Sequence, residues 1–161
     1  MDSVMISIQP KWVALIASGK KTVEVRKTKP KIDTPFKCYI YCTKGKTPND
    51  ILTFAGYEEG EYIGDYYANC SVIGEFVCDE IITLGNVSTD PWCRLLGDVH
   101  ERLKRLVNEQ ARLTEKELLD YGGKYAWHIS DLVIYEEPKE LGEFGLRHAP
   151  QSWCYVKELI K

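Results

Sequence analysis

Residues 18–31 read SGKKTVEVRKTKPK and hold the densest basic charge of the chain. Within them, the pattern G-x-K-x-x-E-x-R is formed by Gly19, Lys21, Glu24 and Arg26. The glycine suits the left-handed residue that ends a helix, and the β-branched residues that follow it favour a strand. The stretch therefore predicts a helix end, a turn and a strand that carry an ammonium, a carboxylate and a guanidinium.

The polar face of this strand has two interpretations. An exposed strand edge with a local ion pair would contribute less than about 1 kcal/mol, and it is the commoner outcome because short charge patterns are frequent. If the face instead lines a cleft, Arg26 offers a planar fork for a phosphate or a base edge. Lys21 then offers a point charge or, if desolvated, a base with a lowered pKa. Glu24 would orient both cations or activate a water molecule.

The segments around the stretch predict a mixture of strands and helices. Val4 to Ile8 alternates as a strand with one buried face does, and Pro10 suits the first turn of a helix with an apolar stripe. Strands separated by non-repeating helices predict an α+β fold, and they fit a small mixed β-barrel with flanking helices. The further predicted elements are strands at 22–26, 36–42, 70–84, 125–135 and 153–160, helices around 98–107 and 114–121, and a helical turn at 138–144.

Size and charge limit the classes of function. The 161 residues predict one domain, 1–161, and the net charge of −3 argues against a polybasic coat for nucleic acid. A local basic patch on an acidic body remains compatible with this composition. The sequence shows no apolar run that could cross a bilayer and no secretory signal, so we expect a cytoplasmic protein without a membrane partner. Its oligomeric state is not indicated. The lysines of the predicted patch are Lys27, Lys29, Lys31, Lys44 and Lys46.

The six cysteines are interpreted as reduced thiols that pack as small apolar side chains. They form no C-x-x-C pair, and clustered Cys and His are what structural zinc usually requires. The chain also lacks a P-loop, a G-x-G-x-x-G turn and an H-E-x-x-H motif. We therefore predict neither a metal site nor a cofactor.

Residues 44–69 change in character, being rich in Gly, Tyr and acidic side chains. They are predicted to form a long loop insertion with a short helix at Pro48–Leu52. Long loops in compact domains are usually functional or mobile, so the insertion is also a candidate surface for protein contacts.

Aromatic residues accompany the predicted basic patch. An unpaired base that stacks on such a ring gains about 1–3 kcal/mol, although most Tyr and Trp residues belong to the core or its margin. Among seven candidates, we expect Trp12 and Tyr41 to flank a base.

Four stretches resemble the ASCH domains, the activating-signal-cointegrator homology group of the PUA-like superfamily, and especially their bacterial and prophage members. The first is SIQPKWVALIASGKKTVEVRKTKP, in which all four positions of the family motif are matched. The others are YIYCTKGK at 39–46, YAWHISDLVIYEEPKEL at 125–141 and RHAPQSWCYV at 147–156. The resemblance covers most of the chain and is weakest around 54–68.

The resemblance implies a PUA-like β-barrel with a cleft between the barrel and the helix after the first strand. It also implies a module that binds RNA or a nucleotide or nucleoside. With the patch and the aromatic residues added, the expected binding residues are Trp12, Lys21, Glu24, Arg26, Lys27, Tyr41 and Lys44.

An alternative is a hydrolase, because a small branch of the family resembles N4-acetylcytidine amidohydrolases and other relatives resemble ribonucleases. Lys21 occupies the lysine position of the amidohydrolases, and Glu24 stands where they have a threonine. The catalytic residues would then be Lys21 and Glu24, and the counterpart of a distant family glutamate would be Glu75 or Glu80.

Overall fold

The computed structural model describes residues 2–84 and 97–157. The described strands are β1 (Asp2–Ile8), β2 (Val23–Arg26), β3 (Phe36–Cys42), β4 (Thr53–Glu58), β5 (Glu61–Tyr67), β6 (Ser71–Cys78), β7 (Ile81–Thr83), β8 (Tyr125–His128), β9 (Ser130–Lys139) and β10 (Trp153–Lys157). The helices are α1 (Pro10–Ala17), α2 (Gly97–Arg105) and α3 (Glu115–Tyr121), with a π-helical turn (Leu106–Gln110) after α2 and a 3₁₀ turn (Leu141–Phe144) after β9. The predicted α+β class is confirmed.

The described strands form three sheets. The largest has the order β10-β1-β3-β6-β9, the second has the order β2-β8-β7, and β4 and β5 form a hairpin. Only β1 and β3 run parallel among these pairs. The hydrogen bonds between these strands do not close a barrel. The arrangement places β2, which carries Glu24 and Arg26 of the motif, in the second sheet rather than in the large one.

Helix α1 begins and ends as its sequence predicts. Pro10 occupies the first turn, where its missing N–H costs nothing. Gly19 has a φ of +73° and its N–H donates to the carbonyl of Ile16 at 2.9 Å. The helix therefore stops one short turn before the motif lysine, Lys21.

The alternation predicted for β2 decides what each side chain faces. Val23 and Val25 pack into an apolar cluster with Val107 and Leu118 from the helical region. Because side chains alternate along a strand, Glu24 and Arg26 point to the opposite side. The polar face of β2 is therefore turned away from the helical cluster.

Four predicted elements differ in the structure. The predicted strand at 70–84 is divided into β6 and β7, which belong to different sheets. Residues 53–67, expected to be part of a loop, form the β4–β5 hairpin, and its turn uses left-handed Glu59 and Gly60. The expected helix at Pro48–Leu52 is a turn, because the carboxylate of Asp50 accepts two backbone N–H groups. The predicted strand at 125–135 breaks at Ile129 into β8 and β9, which belong to different sheets.

None of the helices in the two described ranges is long and apolar enough to cross a bilayer.

Candidate functional site

A cleft of about 950 Å³ opens on the polar side of β2. Its wall is built by the end of β1, the start of α1, β2, the segment after β3, the end of α3 and the segment before β10. The lining includes the carboxylate and both cations of the G-x-K-x-x-E-x-R motif. Its members are Ser7, Ile8, Gln9, Lys11, Trp12, Lys21, Glu24, Val25, Arg26, Lys27, Thr28, Thr43, Gly45, Lys46, Leu113, Glu117, Asp120, Tyr121, Gln151 and Ser152.

Two ion pairs join the three charged motif residues, with Glu24 between the two cations. The Nζ of Lys21 lies 3.2 Å from Oε2 of Glu24, and Oε1 of the same carboxylate lies 3.0 Å from Nη2 of Arg26. Their side chains are only 2%, 9% and 8% exposed, respectively. One carboxylate thus compensates two buried cations, so this polar face is not an exposed strand edge.

The ammonium of Lys21 is held on several sides. It donates to the carbonyl of Ala111 at 2.6 Å, and it lies 5.0 Å from the centroid of the Trp12 ring. Burial lowers the pKa of Lys21, Glu24 opposes that change, and Arg26 adds to it. The lysine is therefore a desolvated cation that the surrounding acceptors fix in place.

Three hydrogen bonds, which we call the clamp, join residues 20–22 to residues 110–112. The N–H of Thr22 donates to the carbonyl of Gln110 at 2.9 Å, next to the bond from Lys21 to Ala111. Nε of Arg112 donates to the carbonyl of Lys20 at 2.6 Å. Gln110 ends the π-helical turn, and wide turns of this kind recur at functional sites. This clamp fixes the position of Lys21 relative to the cleft.

The guanidinium of Arg26 forms hydrogen bonds to β1 and to the segment before β10. Its Nη2 donates to the carbonyl of Ser7 at 2.6 Å, and Nη1 lies 3.4 Å from Oγ of Ser152. Ser7 in turn donates through Oγ to the carbonyl of Pro150 at 2.6 Å. Nε of Arg26 is buried and has no hydrogen-bond partner among the described residues. The Nη1 side of the guanidinium retains donor capacity on the wall shared with Ser152.

Cations and aromatic rings alternate at the rim of the cleft. The Nζ of Lys11 lies 4.3 Å from the ring centroid of Trp12, and that of Lys27 lies 5.1 Å from the ring of Tyr121. The third rim lysine is Lys46. Among the described residues, five cationic side chains and three carboxylates line the cleft, which gives this lining a formal charge of about +2, whereas the whole chain carries −3.

Comparison with known proteins identifies the family to which this chain belongs. A family model described as "ASCH domain" matches residues 6–139, most of the chain. The chain belongs to the ASCH domain family. The predicted resemblance is thereby confirmed.

Solved structures agree at the level of the fold. The crystal structure of ASCH from Zymomonas mobilis aligns with this ASCH domain at a TM-score of 0.59 and 21% identity, covering 97% of this chain and 88% of that one. Two mutants of the same protein align at TM-scores of 0.59 with 20% and 21% identity, covering 97% of this chain and 91% and 89% of theirs. A search of curated proteins gives no match.

The ASCH motif and the other predicted site residues can now be located. Lys21, Glu24 and Arg26 line the cleft together with Trp12 and Lys27. Tyr41 and Lys44 do not belong to this lining.

Tyr41 lies in a different part of the ASCH domain. Strand β3 is the third of five in its sheet, so both of its edges are hydrogen-bonded, and all of its residues except Lys37 are buried, which shows that both of its faces are covered. Tyr41 is 8% exposed and packs in an apolar cluster with Met5, Val72 and Phe144. The expectation that this ring flanks a bound base in the cleft does not match its position.

Lys44 is exposed, whereas its neighbours in the same segment line the cleft. Lys44 and Lys46 would both lie close to Lys27 if the second and third strands paired. Strand β2 pairs with β8 instead, through Glu24 opposite Trp127. Lys46 still reaches the cleft, because the segment after β3 forms part of its wall.

Several lining residues of the ASCH domain have no signal in the sequence. Tyr121 is the clearest case, since it ends α3 just before Gly122 and looks like an ordinary surface residue of a helix end. Gln9, Gln151 and Ser152 likewise carry no motif. Their roles depend on how distant segments meet.

The two glutamates considered for a hydrolase lie outside the cleft lining. Glu75 accepts a hydrogen bond from Oη of Tyr135 at 2.6 Å and lies 3.3 Å from Nζ of Lys37. Glu80 is exposed, and its carbonyl accepts the N–H of His128. Beyond Glu24, the carboxylates of the lining are Glu117 and Asp120.

The cysteines within the described ranges are free thiols, and three of them, Cys38, Cys42 and Cys78, are buried in the core. Within the same ranges, no group of three or more His, Cys, Asp or Glu side chains is arranged to hold a metal ion. Cys93 lies outside the described residues.

Proposed function

We propose that this ASCH domain binds RNA or a nucleotide in the cleft lined by Lys21, Glu24 and Arg26. The observation that carries the proposal is a cleft of positive charge with two aromatic rings on a chain of negative charge. Its volume of about 950 Å³ is at the upper end of the usual range for small-molecule sites. A cleft of this size suits one nucleotide or a short single strand better than a duplex.

Each part of the cleft has a role in this proposal. The rim lysines Lys27 and Lys46 contact phosphate, since Lys21 and Arg26 already share the charge of Glu24. Nη1 of Arg26 donates to a base or a phosphate oxygen. Each oxygen of Glu24 retains a second lone pair, which can accept from an exocyclic amine. Trp12 takes the stacking role, and Tyr121 replaces Tyr41 as the second ring.

Three finer features belong to the same proposal. Residues 1–161 form a single domain, and its sheets correspond to the PUA-like barrel of the family. The domain acts in the cytoplasm. The family match over residues 6–139 supports the first two features, and the buried free thiols fit a reducing compartment.

Salt dependence tests the phosphate contacts. With Lys27 and Lys46 contacting phosphate, the logarithm of the association constant for a short labelled single-stranded RNA should fall with the logarithm of salt concentration at a slope of about −1.4. Lys27→Ala should weaken binding and make the slope shallower by about 0.7. Fluorescence anisotropy at four salt concentrations measures both.

Lys139→Ala is the matched control, because Lys139 also lies near a tyrosine ring, at 4.7 Å from Tyr135, but outside the cleft. It should leave affinity and slope unchanged. RNA binding with a flat salt response, or an equal loss in Lys139→Ala, would contradict the role of the rim lysines.

A hydrolase is the second candidate, and the lowered pKa of Lys21 beside Glu24 is the observation that favours it. On N4-acetylcytidine, water would add to the acetyl carbonyl, the amide C–N bond would break, and acetate and cytidine would leave. Wild type is incubated with N4-acetylcytidine and with short RNAs, and product is followed by chromatography. Turnover that falls about 10²- to 10⁴-fold in Lys21→Ala supports catalysis by Lys21. Binding without turnover leaves the binding function alone.

A further inference from the structure

Asn69 joins the root of the β4–β5 hairpin to the segment that follows β3. Its Oδ1 accepts the N–H of Leu52 at 2.8 Å. Its Nδ2 donates to the carbonyl of Asp50 at 2.7 Å and lies within 3.2 Å and 3.3 Å of the carbonyls of Lys44 and Thr43. One half-buried side chain thus fastens both ends of the segment 43–52.

The segment 43–52 carries part of the cleft rim, since Thr43, Gly45 and Lys46 line the cleft. It contains neither helix nor strand, so its shape depends on hydrogen bonds from side chains. The carboxylate of Asp50 accepts the N–H groups of Lys46 and Thr47, each at 2.8 Å. These two bonds are the main cause that lowers the pKa of Asp50.

Close packing within the segment supports the same arrangement. Gly45 has a φ of +89°, and a Cβ added there would lie 2.5 Å from Cβ of Asp50. Gly45 and Asp50 therefore pack so closely that position 45 has no room for a side chain. Asn69 holds Asp50 through its carbonyl, and Asp50 holds Lys46 through its N–H.

We propose that Asn69 is a positioning residue that holds Lys46 at the rim of the cleft. It does so without lining the cleft itself, through the carbonyl and carboxylate of Asp50. Its effect on ligand binding rests on the proposed function, in which Lys46 contacts phosphate. A lysine on a fastened segment loses less conformational freedom on binding than one on a loose loop, so affinity depends on Asn69.

Hydrogen exchange in the absence of ligand tests the positioning directly. In Asn69→Ala the amides of Lys46 and Thr47 should exchange at least about tenfold faster than in wild type, because their acceptor is no longer fixed. Asn49→Ala is the matched control, since Asn49 is an exposed asparagine of the same segment, and it should leave both rates unchanged. Unchanged rates in Asn69→Ala would overturn the proposal.

Asn69→Asp serves as a second variant in case the alanine variant unfolds. It keeps the acceptor for Leu52 but turns the donor toward Asp50, Lys44 and Thr43 into an oxygen that faces three carbonyls. Faster exchange at Lys46 and Thr47 with an unchanged circular dichroism spectrum is the expected result. Wild-type exchange rates in this variant would overturn the proposal.

A double-mutant cycle with the labelled RNA then tests the link to binding. Asn69→Ala should weaken binding about three- to tenfold and reduce the salt slope by up to about 0.7, the value of one lost phosphate contact on a single strand. In a Lys46→Ala background, Asn69→Ala should have no further effect. An equal loss in both backgrounds would show a merely structural role and overturn the proposal. If wild type binds neither RNA nor nucleotides, the proposed function fails, while hydrogen exchange still decides the role of Asn69.

Discussion

Glu24→Gln is expected to lower the free energy of unfolding by about 3–5 kcal/mol at pH 7, the usual cost of removing one partner from a buried ion pair. The carboxylate is the shared counterion of Lys21 and Arg26, whose side chains are 2% and 8% exposed. Glutamine keeps the shape and the hydrogen-bonding capacity of the side chain but leaves two buried cations without an anion. Urea denaturation followed by circular dichroism measures the change.

The same variant should show a specific pH dependence. In the native state the pKa of Lys21 is lowered by burial from its ordinary value of 10.5, while Glu24 raises it. Between the lowered pKa and 10.5 the unfolded chain binds more protons, so this lysine makes stability rise with pH in that window. Without Glu24 the pKa falls further and the window widens. The difference between wild type and Glu24→Gln should therefore be largest at neutral pH and shrink as pH approaches 10.

Glu61→Gln is the control for both measurements, because Glu61 is also a strand glutamate but is exposed. Its effect should stay within about 0.5 kcal/mol at every pH. A loss of stability below 1 kcal/mol in Glu24→Gln, or a loss that does not vary with pH, would mean that Glu24 is not the group that compensates the buried charges of Lys21 and Arg26.

Trp12→Leu is expected to weaken the binding of a short single-stranded RNA by about 5- to 150-fold, which corresponds to a stacking contribution of 1–3 kcal/mol. Leucine preserves much of the apolar packing of Trp12 against the core, where the ring is partly buried. Tyr121→Leu, at the end of α3, should also weaken binding. Anisotropy titration gives the dissociation constants.

Two controls separate stacking from general effects. Tyr67→Leu removes a ring that is 69% exposed on β5 and does not line the cleft, so affinity should not change. Tyr41→Phe should also bind like wild type, because Tyr41 is buried in an apolar cluster and does not line the cleft. Equal affinities of wild type, Trp12→Leu and Tyr121→Leu would rule out base stacking in this cleft.

Local patterns predicted the motif strand well. The alternation of Val23 and Val25 with Glu24 and Arg26 needs no long-range information, and the structure places the two pairs on opposite faces as expected. The end of α1 shortly before Gly19 follows from the left-handed backbone conformation of that glycine. These are the parts of the cleft that a single segment determines.

The position of Tyr41 outside the cleft lining depends on a distant part of the chain. Alternation correctly separates Tyr41 from Ile40, but it cannot tell whether the second face of a strand is open or covered. The 3₁₀ turn, about a hundred positions further along, covers that face with Phe144. The β4–β5 hairpin was missed although Glu59-Gly60 offered a turn signal, because the surrounding tyrosines and acidic residues suggested an irregular loop.

The clamp between residues 20–22 and 110–112 has a consequence for how the protein is made. The ribosome synthesises the whole G-x-K-x-x-E-x-R motif early. Ala111, whose carbonyl accepts the hydrogen bond from Lys21, is added 90 positions later. A nascent chain therefore contains the motif before it contains the carbonyl of Ala111, which holds Lys21 in place. A sequence search that detects the motif in a reading frame ending before residues 110–112 would therefore report a cleft site that cannot form.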